Sequence, residues 1–329
     1  FVLGASPGRI DVRACGVRHE IEVGVDLVRQ EPKVEVARQP EAGEGTEVTV
    51  WWPPSSASSL IGQSERILQI LRGYTFLNPH LRITYRIFED AATIEPTDRA
   101  WTRRKWTPAD GASPHWFDLA AFRRFVAGHV VYDEDHGQHR LVRELLLDFQ
   151  GLSATRKQKA ILKATGLHRV HLRDLVNGAG LDDVALDRLL SAMKEHSRPL
   201  KTSSLGIIGR AHLEQRFEAL GAIMEGRIRF AYTRAMSPPE EHHRPWIVET
   251  AFAPLRASSE RCAFVGLNWS PGISNPFRRL GRDGESLEAA FSRQRIGADR
   301  GVIIVQHLVM PAARFTDRGK SAVALDEEE

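Results

Sequence analysis

Gly319-Lys320-Ser321, within RFTDRGKSAV (Arg314 to Val323), has the residue types that close a phosphate-binding P-loop. Such a loop cradles phosphate with backbone amides and the N-terminus of the following helix, so it needs G-x-x-x-x-G-K-[ST] between a strand and a helix. An upstream strand is predicted at GVIIVQHLVM (Gly301 to Met310), but Arg314 stands where the first glycine belongs. Nine residues follow Lys320 and end in an acidic DEEE run, which leaves no helix of useful length. By its residues alone, Lys320 reads as an ordinary solvated lysine of a surface turn.

A second candidate is an acid-free run, GLSATRKQKAILKATGLHRVHLR (Gly151 to Arg173), which carries Arg156, Lys157, Lys159, Lys163, Arg169 and Arg173. Helical spacing sets Arg156, Lys159 and Lys163 on one face, three and four residues apart. Such a face can neutralise phosphates, and without interleaved aromatics it suits the backbone of a duplex better than stacked single strands. The alternative is an ordinary solvated basic face. His242 and His243 are adjacent, and neighbours cannot face one ion from a regular element, so EEHHRP reads as a polar loop and no metal site is predicted. No Ser-His-Asp arrangement or paired-carboxylate spacing stands out. Tyr74, Tyr85, Tyr132 and Tyr232 read as structural.

The chain has 329 residues, which implies two or three domains. Hydrophobic residues are 42% and charged residues 26%, a globular composition. Cys15 and Cys262 are the two cysteines, too few for a disulfide framework or a four-cysteine zinc site, and they fit a reducing, cytoplasmic setting. The longest apolar run, near Val302, is too short to span a membrane, and the first residues lack a signal-peptide pattern. The opening residue is Phe1, so the sequence reads as a trimmed piece. The net charge of +3 is too small to argue for nucleic acid by itself.

The elements that must position these residues follow from hydrophobic periodicity. HEIEVGVDLV and TEVTVWWP alternate as strands, with RQPEAGEGT between them as a glycine-bearing turn, so the two are predicted to pair. Trp51 and Trp52 read as an edge of the core. SSASSLIGQSERILQILRGY is predicted as one helix with Leu60, Ser64, Ile67, Leu68 and Leu71 at helical spacing, and LRITYRIF as a strand. From Asp118 to about Ser204 every periodic segment is helical, including LAAFRRFVAG, HRLVRELLLDF, ATRKQKAILKAT and LDDVALDRLLSAMKEH. Leu186, Leu189, Leu190 and Met193 form the apolar face of the last. RIRFAYTRAM, RPWIVETAFAPL and RCAFVGLNWS then read as strands, followed by a helix at GESLEAAFSRQ.

Seven segments in order resemble the B subunit of type IIB DNA topoisomerases (topoisomerase VI), a GHKL ATPase. GVRHEIEVGVDLVRQEPKVEVARQPEAGEGTEVTVWWP resembles closing strands of the ATPase domain, with the family's Gly-Thr pair at Gly45-Thr46. FLNPHLRITYR resembles its Asn-Pro-His turn, and SPHWFDLAAFRRFV its Pro-His-Trp-Tyr segment, with Phe117 for tyrosine. RPLKTSSLGIIGRAHLEQRF resembles the exit from the helical domain, with Ile207 replacing a proline. HRPWIVETAFAP resembles the first strands of the transducer domain, and HLVMPAARFTDRGKSAV its last strand and following loop. LNWSPGISNPF aligns with a segment that carries Asn-Arg-x-Pro-Leu in the family, and departs from it.

The resemblance implies a multidomain α+β fold. Residues 1–118 would be the C-terminal part of a GHKL (Bergerat) ATPase α/β sandwich. Residues 119–205 would be an all-α helix-two-turns-helix domain, and residues 206–329 an α/β transducer with a left-handed βαβ crossover. It implies ATP and Mg²⁺ as cofactors, with duplex DNA, a topoisomerase VI A-like cleavage subunit and a second B subunit as partners in a nucleoid-associated setting. Lys320 would be the switch lysine on the γ-phosphate, a role suited to a compact charge on a flexible stem. Gly45 and Thr46 would lie by the adenine. The sequence has no D-x-G-x-G turn and no GxGxxG, and GASPG (Gly4 to Gly8) would be at most the frayed end of the family's glycine-rich lid, so these residues are not expected to bind or hydrolyse ATP alone. A diverged DNA-binding scaffold without strand passage is the alternative, and a MutL-like repair ATPase a weaker one, because that class joins ATPase and transducer directly.

Overall fold

The computed structural model describes residues 8–26, 31–51, 57–100, 105–107, 110–177, 180–223, 229–236, 244–256, 261–272, 286–311, 313–315 and 323–324. The chain is a mixed α+β protein of two compact units, residues 1–69 with 85–92, and residues 70–84 with 93–329.

The first unit is built on an antiparallel four-stranded sheet of β1 (Gly8–Ala14), β2 (Val17–Asp26), β3 (Glu31–Pro40) and β4 (Thr46–Trp51), in the order β3-β2-β1-β4. A two-residue turn at Cys15 and Gly16, with φ of 52° and 76°, closes β1 on β2, the left-handed geometry that suits a tight hairpin. The sequence suggested that β4 pairs with β2; instead it pairs with β1, and β3 takes the far edge beside β2. β3 escaped notice because prolines stand near both its ends, and an edge strand tolerates them. Register places Ile10 between Ile21 and Val50, Val12 beside Val48, and Val34 and Val36 beside Val23 and Ile21, so one face is apolar. The other face is laced by ion pairs, Arg18 to Asp11 at 2.6 Å and to Glu20 at 2.9 Å, and Arg13 to Glu47 at 3.3 Å. Trp51 is not at a core edge; it is 45% exposed, with the Arg9 guanidinium 4.8 Å from its ring centroid, and Trp52 lies outside the described residues.

The helix expected from Ser55 to Tyr74 divides at Gly62-Gln63 into α1 (Ala57–Ile61) and α2 (Ser64–Leu77). α2 stops where Pro79 cannot continue it, and the Asn78 amide donates back to the Tyr74 carbonyl at 2.8 Å, satisfying an orphaned helix end. β5 (Ile83–Ile87) then pairs with β6 (Asp90–Ile94).

The second unit contains a helical core. Its helices are α3 (Leu119–Asp135), α4 (Val142–Leu145), α5 (Thr155–Thr165) and α6 (Asp183–Glu195), and a short antiparallel pair, β7 (Val176–Asn177) and β8 (Gly180–Leu181), precedes α6. Asp118 and Asp182 cap α3 and α6 by accepting backbone N–H bonds. Phe122, Val126, Leu145, Phe149, Ile161, Leu186, Leu189 and Met193 are buried together, so the apolar face read on α6 is core. α4 is shorter than the HRLVRELLLDF pattern suggested, because the chain tightens into a 3-10 turn at Leu146–Asp148.

After α7 (Arg210–Ala219) the chain builds a five-stranded sheet from β9 (Arg229–Met236), β10 (Pro245–Pro254), β11 (Cys262–Leu267), β12 (Ser270–Pro271) and β13 (Val302–Val309), ordered β12-β11-β13-β10-β9. β11 and β13 run parallel, and the connection between them carries α8 (Leu287–Arg293), capped by Ser286. β10 alternates buried and half-buried residues along its length, the signature of a strand with one face on a core. Two short strands, β14 (Arg314–Phe315) and β15 (Val323–Ala324), pair antiparallel.

Gly266 marks the tightest approach to that core. A Cβ there would lie 2.1 Å from Leu77 Cδ1 and 2.8 Å from the Ser270 carbonyl oxygen. Gly266→Ala is expected to destabilise the fold by about 2–3 kcal/mol through overpacking. Gly128→Ala, in α3 where a Cβ meets nothing within 4 Å, is expected to stabilise it by about 0.5–1 kcal/mol. Urea midpoints of the two variants against the parent chain check both signs.

Candidate functional site

Lys320 falls in residues 316–322, outside the described residues, as do His242 and His243. Those seven positions connect β14 to β15, whose Val323 is buried among Val265, Leu267, Ile304 and Leu308. Gly45, with φ of 81°, turns the chain into β4, and Thr46 opens that edge strand opposite Ala14. Both are exposed, and a Cβ on Gly45 would meet nothing within 4 Å. They form an open rim and do not by themselves enclose a nucleotide.

Of the basic residues, Arg156, Lys159 and Lys163 are exposed on α5, while Gln158, Ile161, Leu162 and Thr165 bury its opposite side. The three cations span about 10 Å of helix. The others are placed differently. Lys157 donates to the Gly151 carbonyl at 2.7 Å and is tied to the preceding loop. Arg169 sits exposed in a left-handed turn with φ of 64°. Arg173, in the 3-10 turn Leu172–Leu175, lies 3.3 Å from His139 Nδ1 and 3.8 Å from Asp174.

Two constellations escaped the sequence reading. The first is a buried polar chain across the five-stranded sheet. Glu249 of β10 and His307 of β13 are direct cross-strand partners, exposed by 1% and 0%. His307 Nδ1–H donates to Glu249 Oε2 at 3.0 Å, and Nε2 accepts from the Trp269 backbone N–H at 3.1 Å, which fixes the tautomer. Glu249 also accepts the amides of Ile208 at 2.9 Å and Gly209 at 3.2 Å, so the carboxylate anchors the start of α7. The Trp269 carbonyl accepts from Asn78 Nδ2 at 2.9 Å, and Asn78 Oδ1 accepts from Lys105. Lys105 lies 5.4 Å from the Trp269 ring centroid, and burial lowers its pKa. An acid and a histidine inside apolar strand patterns were the available signal, in WIVETAF and VIIVQHLV.

The second is a cleft of about 770 Å³ in the helical part of the second unit, with Trp106, Phe125, His129, Arg140 and Asp148 among its walls. Arg140 donates to His129 Nδ1 at 2.7 Å and pairs with Asp133 at 3.3 Å and Asp148 at 3.6 Å. Burial, then the Arg140 charge, lowers the His129 pKa against the opposing pull of Asp148 and Asp133. The sequence scatters these residues over forty positions around loops, and no spacing rule joins them.

Among the described residues, no three His, Cys, Asp or Glu side chains are grouped so as to hold a metal ion. No described helix is long and apolar enough to cross a membrane.

α7 supplies a titration that the fold cannot accommodate. His212 is buried, donates from Nε2 to the Phe76 carbonyl at 2.8 Å and accepts at Nδ1 from the Thr97 hydroxyl. Burial is the main cause that pushes its pKa down to about 4 from 6.5, with Arg216 adding to it and the Phe76 bond opposing. The unfolded chain therefore binds this proton first. The stabilisation is complete above about pH 6.5 and is lost as the pH falls toward 4, by about 3 kcal/mol. Urea unfolding from pH 7 to pH 4 is expected to show this loss in the parent chain, and His212→Gln is expected to flatten it.

No protein-family model matches the chain, and no curated protein matches it.

Proposed function

We propose that this chain is part of a B subunit of the type IIB DNA topoisomerase kind, a clamp that couples ATP to capture of duplex DNA. The supporting observation is the order of its parts. An antiparallel sheet and helix come first, a helical core of its own follows, and a five-stranded sheet comes last with the parallel pair β11/β13 bracketing α8. In this reading residues 1–118 close a GHKL domain, residues 119–205 are the helix-two-turns-helix domain, and residues 206–329 are the transducer with a left-handed crossover. The seven ordered sequence segments support the same assignment.

ATP and Mg²⁺ would be held chiefly by motifs absent from these 329 residues, since Gly45 and Thr46 offer an open rim. Lys320 would supply the cation to the γ-phosphate, a charge-assisted contact worth about 1.5–3 kcal/mol that exists only while the phosphate does. Arg156, Lys159 and Lys163 would meet duplex phosphates, and the cleavage chemistry would belong to a separate A-like subunit.

One observation favours the second reading, a diverged scaffold without strand passage. In LNWSPG the family pattern is replaced by a turn with Asn268 at φ of 47° and Trp269 at 72°. The Asn268 side chain exchanges two bonds with the Met310 backbone, at 2.8 and 2.9 Å, so this segment serves the sheet.

The reading is tested on the full-length protein with Lys320→Ala. DNA-stimulated ATP hydrolysis is expected to fall about tenfold or more; an unchanged rate removes Lys320 from the switch. Replacing Arg156, Lys159 and Lys163 together by alanine is expected to reduce the salt slope of duplex binding by about 3.

A further inference from the structure

Arg216 of α7 is a buried cation that the protein leaves without a counter-charge. The residue is 7% exposed, and among the described residues no carboxylate pairs with it. Glu214, on the same helix, pairs instead with Arg210 at 2.6 Å. The one hydrogen bond that Arg216 makes among the described residues runs from Nη2 to the Glu95 carbonyl at 2.9 Å. A guanidinium carries five N–H donors and stays charged at any physiological pH, so a single carbonyl answers one donor and none of the charge. Nε is sealed from solvent with no acceptor, whereas Nη1 is unbonded but not sealed, which makes it the atom through which the group can be reached. A buried charge is costly until an opposite charge compensates it.

The surroundings add cations. Residues 95–97 run along α7, with the Thr97 hydroxyl bonded to His212 and the Glu95 carbonyl to Arg216, one helical turn further on. The exposed Glu95 side chain gathers two more arginines, Arg82 Nε at 3.3 Å and Arg99 Nη2 at 3.2 Å. Three guanidinium groups therefore meet at one residue that offers a single carboxylate. A cation would be repelled there, and a neutral ligand would leave the buried charge uncompensated. A backbone phosphodiester holds its oxygens between two sugars and meets a recessed nitrogen poorly. A terminal phosphate group presents three outward oxygens and up to two negative charges, and arginine forks match that shape.

We propose that Arg216, with Arg82 and Arg99 at the rim, forms a binding site for a terminal phosphate group, which supplies the missing counter-charge. The phosphate accepts from Arg216 Nη1, and Arg82 and Arg99 turn from Glu95 to the incoming anion. The assignment does not rest on the function proposed above. Inorganic phosphate and the 5′ end of a nucleic acid strand share this chemistry, and the test separates them.

The probe is the Arg216 Nε–H resonance in the intact ¹⁵N-labelled chain, observable because that proton is shielded from solvent. Arg216→Lys identifies it by its loss while keeping a charged donor for the Glu95 carbonyl. Millimolar inorganic phosphate is expected to shift the resonance saturably, and sodium chloride of equal ionic strength is expected not to. Replacing Arg82 and Arg99 together by glutamine is expected to weaken phosphate about fivefold, and Glu95→Gln, which removes the competing carboxylate, to tighten it by a similar factor. These last variants change exposed side chains only, so the fold is expected to persist. A purely structural Arg216 predicts no tightening in Glu95→Gln. A resonance that ignores phosphate, an equal response to chloride, or unchanged affinity in Glu95→Gln overturns the proposal. A duplex with 5′-phosphate ends that shifts the resonance where its 5′-hydroxyl counterpart does not makes a strand end the source; a shift by inorganic phosphate alone makes it the free anion.

Discussion

The carboxylate of Glu249 is the constraint around which the larger unit is arranged. A charge buried to 1% exposure is tolerable only when its oxygens are well hydrogen-bonded. Here the answers come from three places, the amides of Ile208 and Gly209 and the imidazole of His307. His307 in turn needs the Trp269 amide, whose carbonyl holds Asn78, which holds Lys105. Segments far apart in sequence are thus fixed to one cross-strand pair of the β10/β13 ladder. Removing any one member leaves a buried polar group without its partner, which is why such networks specify one arrangement rather than several.

The two units solve burial differently. The larger one buries separate apolar clusters, one within its helices and others on the two faces of its five-stranded sheet. The smaller one gathers its apolar residues on a single sheet face while ion pairs knit the other, and Val34 and Val48 remain more than half exposed. Chemistry is divided in the same way. The exposed cations and the aromatic cleft both lie in the helical part of the larger unit, and the Gly45-Thr46 rim lies in the smaller one.

The sequence carried the helical part well, because Asp118 and Asp182 are strong caps and the leucines of α6 keep helical spacing without interruption. It carried β10 and β13 as well, since alternation and an unbroken apolar run are direct consequences of burial. Strand pairing in the smaller unit was not legible. β4 reaches past two strands to β1, and nothing local to GEGTEVTV encodes a non-adjacent partner. The division of the Ser55–Tyr74 helix at Gly62 was visible as a glycine but not as a break. The cleft around Arg140 was hidden for a different reason. It is assembled from α3, loops and 3-10 turns, and only tertiary packing brings Trp106, His129 and Asp148 together.

The central claim is that this chain belongs to an ATP-gated clamp. Its most direct test is the association state of the full-length protein with and without a non-hydrolysable ATP analogue, by sedimentation velocity. The account predicts a monomer that becomes a dimer when the analogue is added. A protein whose association state ignores the nucleotide would contradict it.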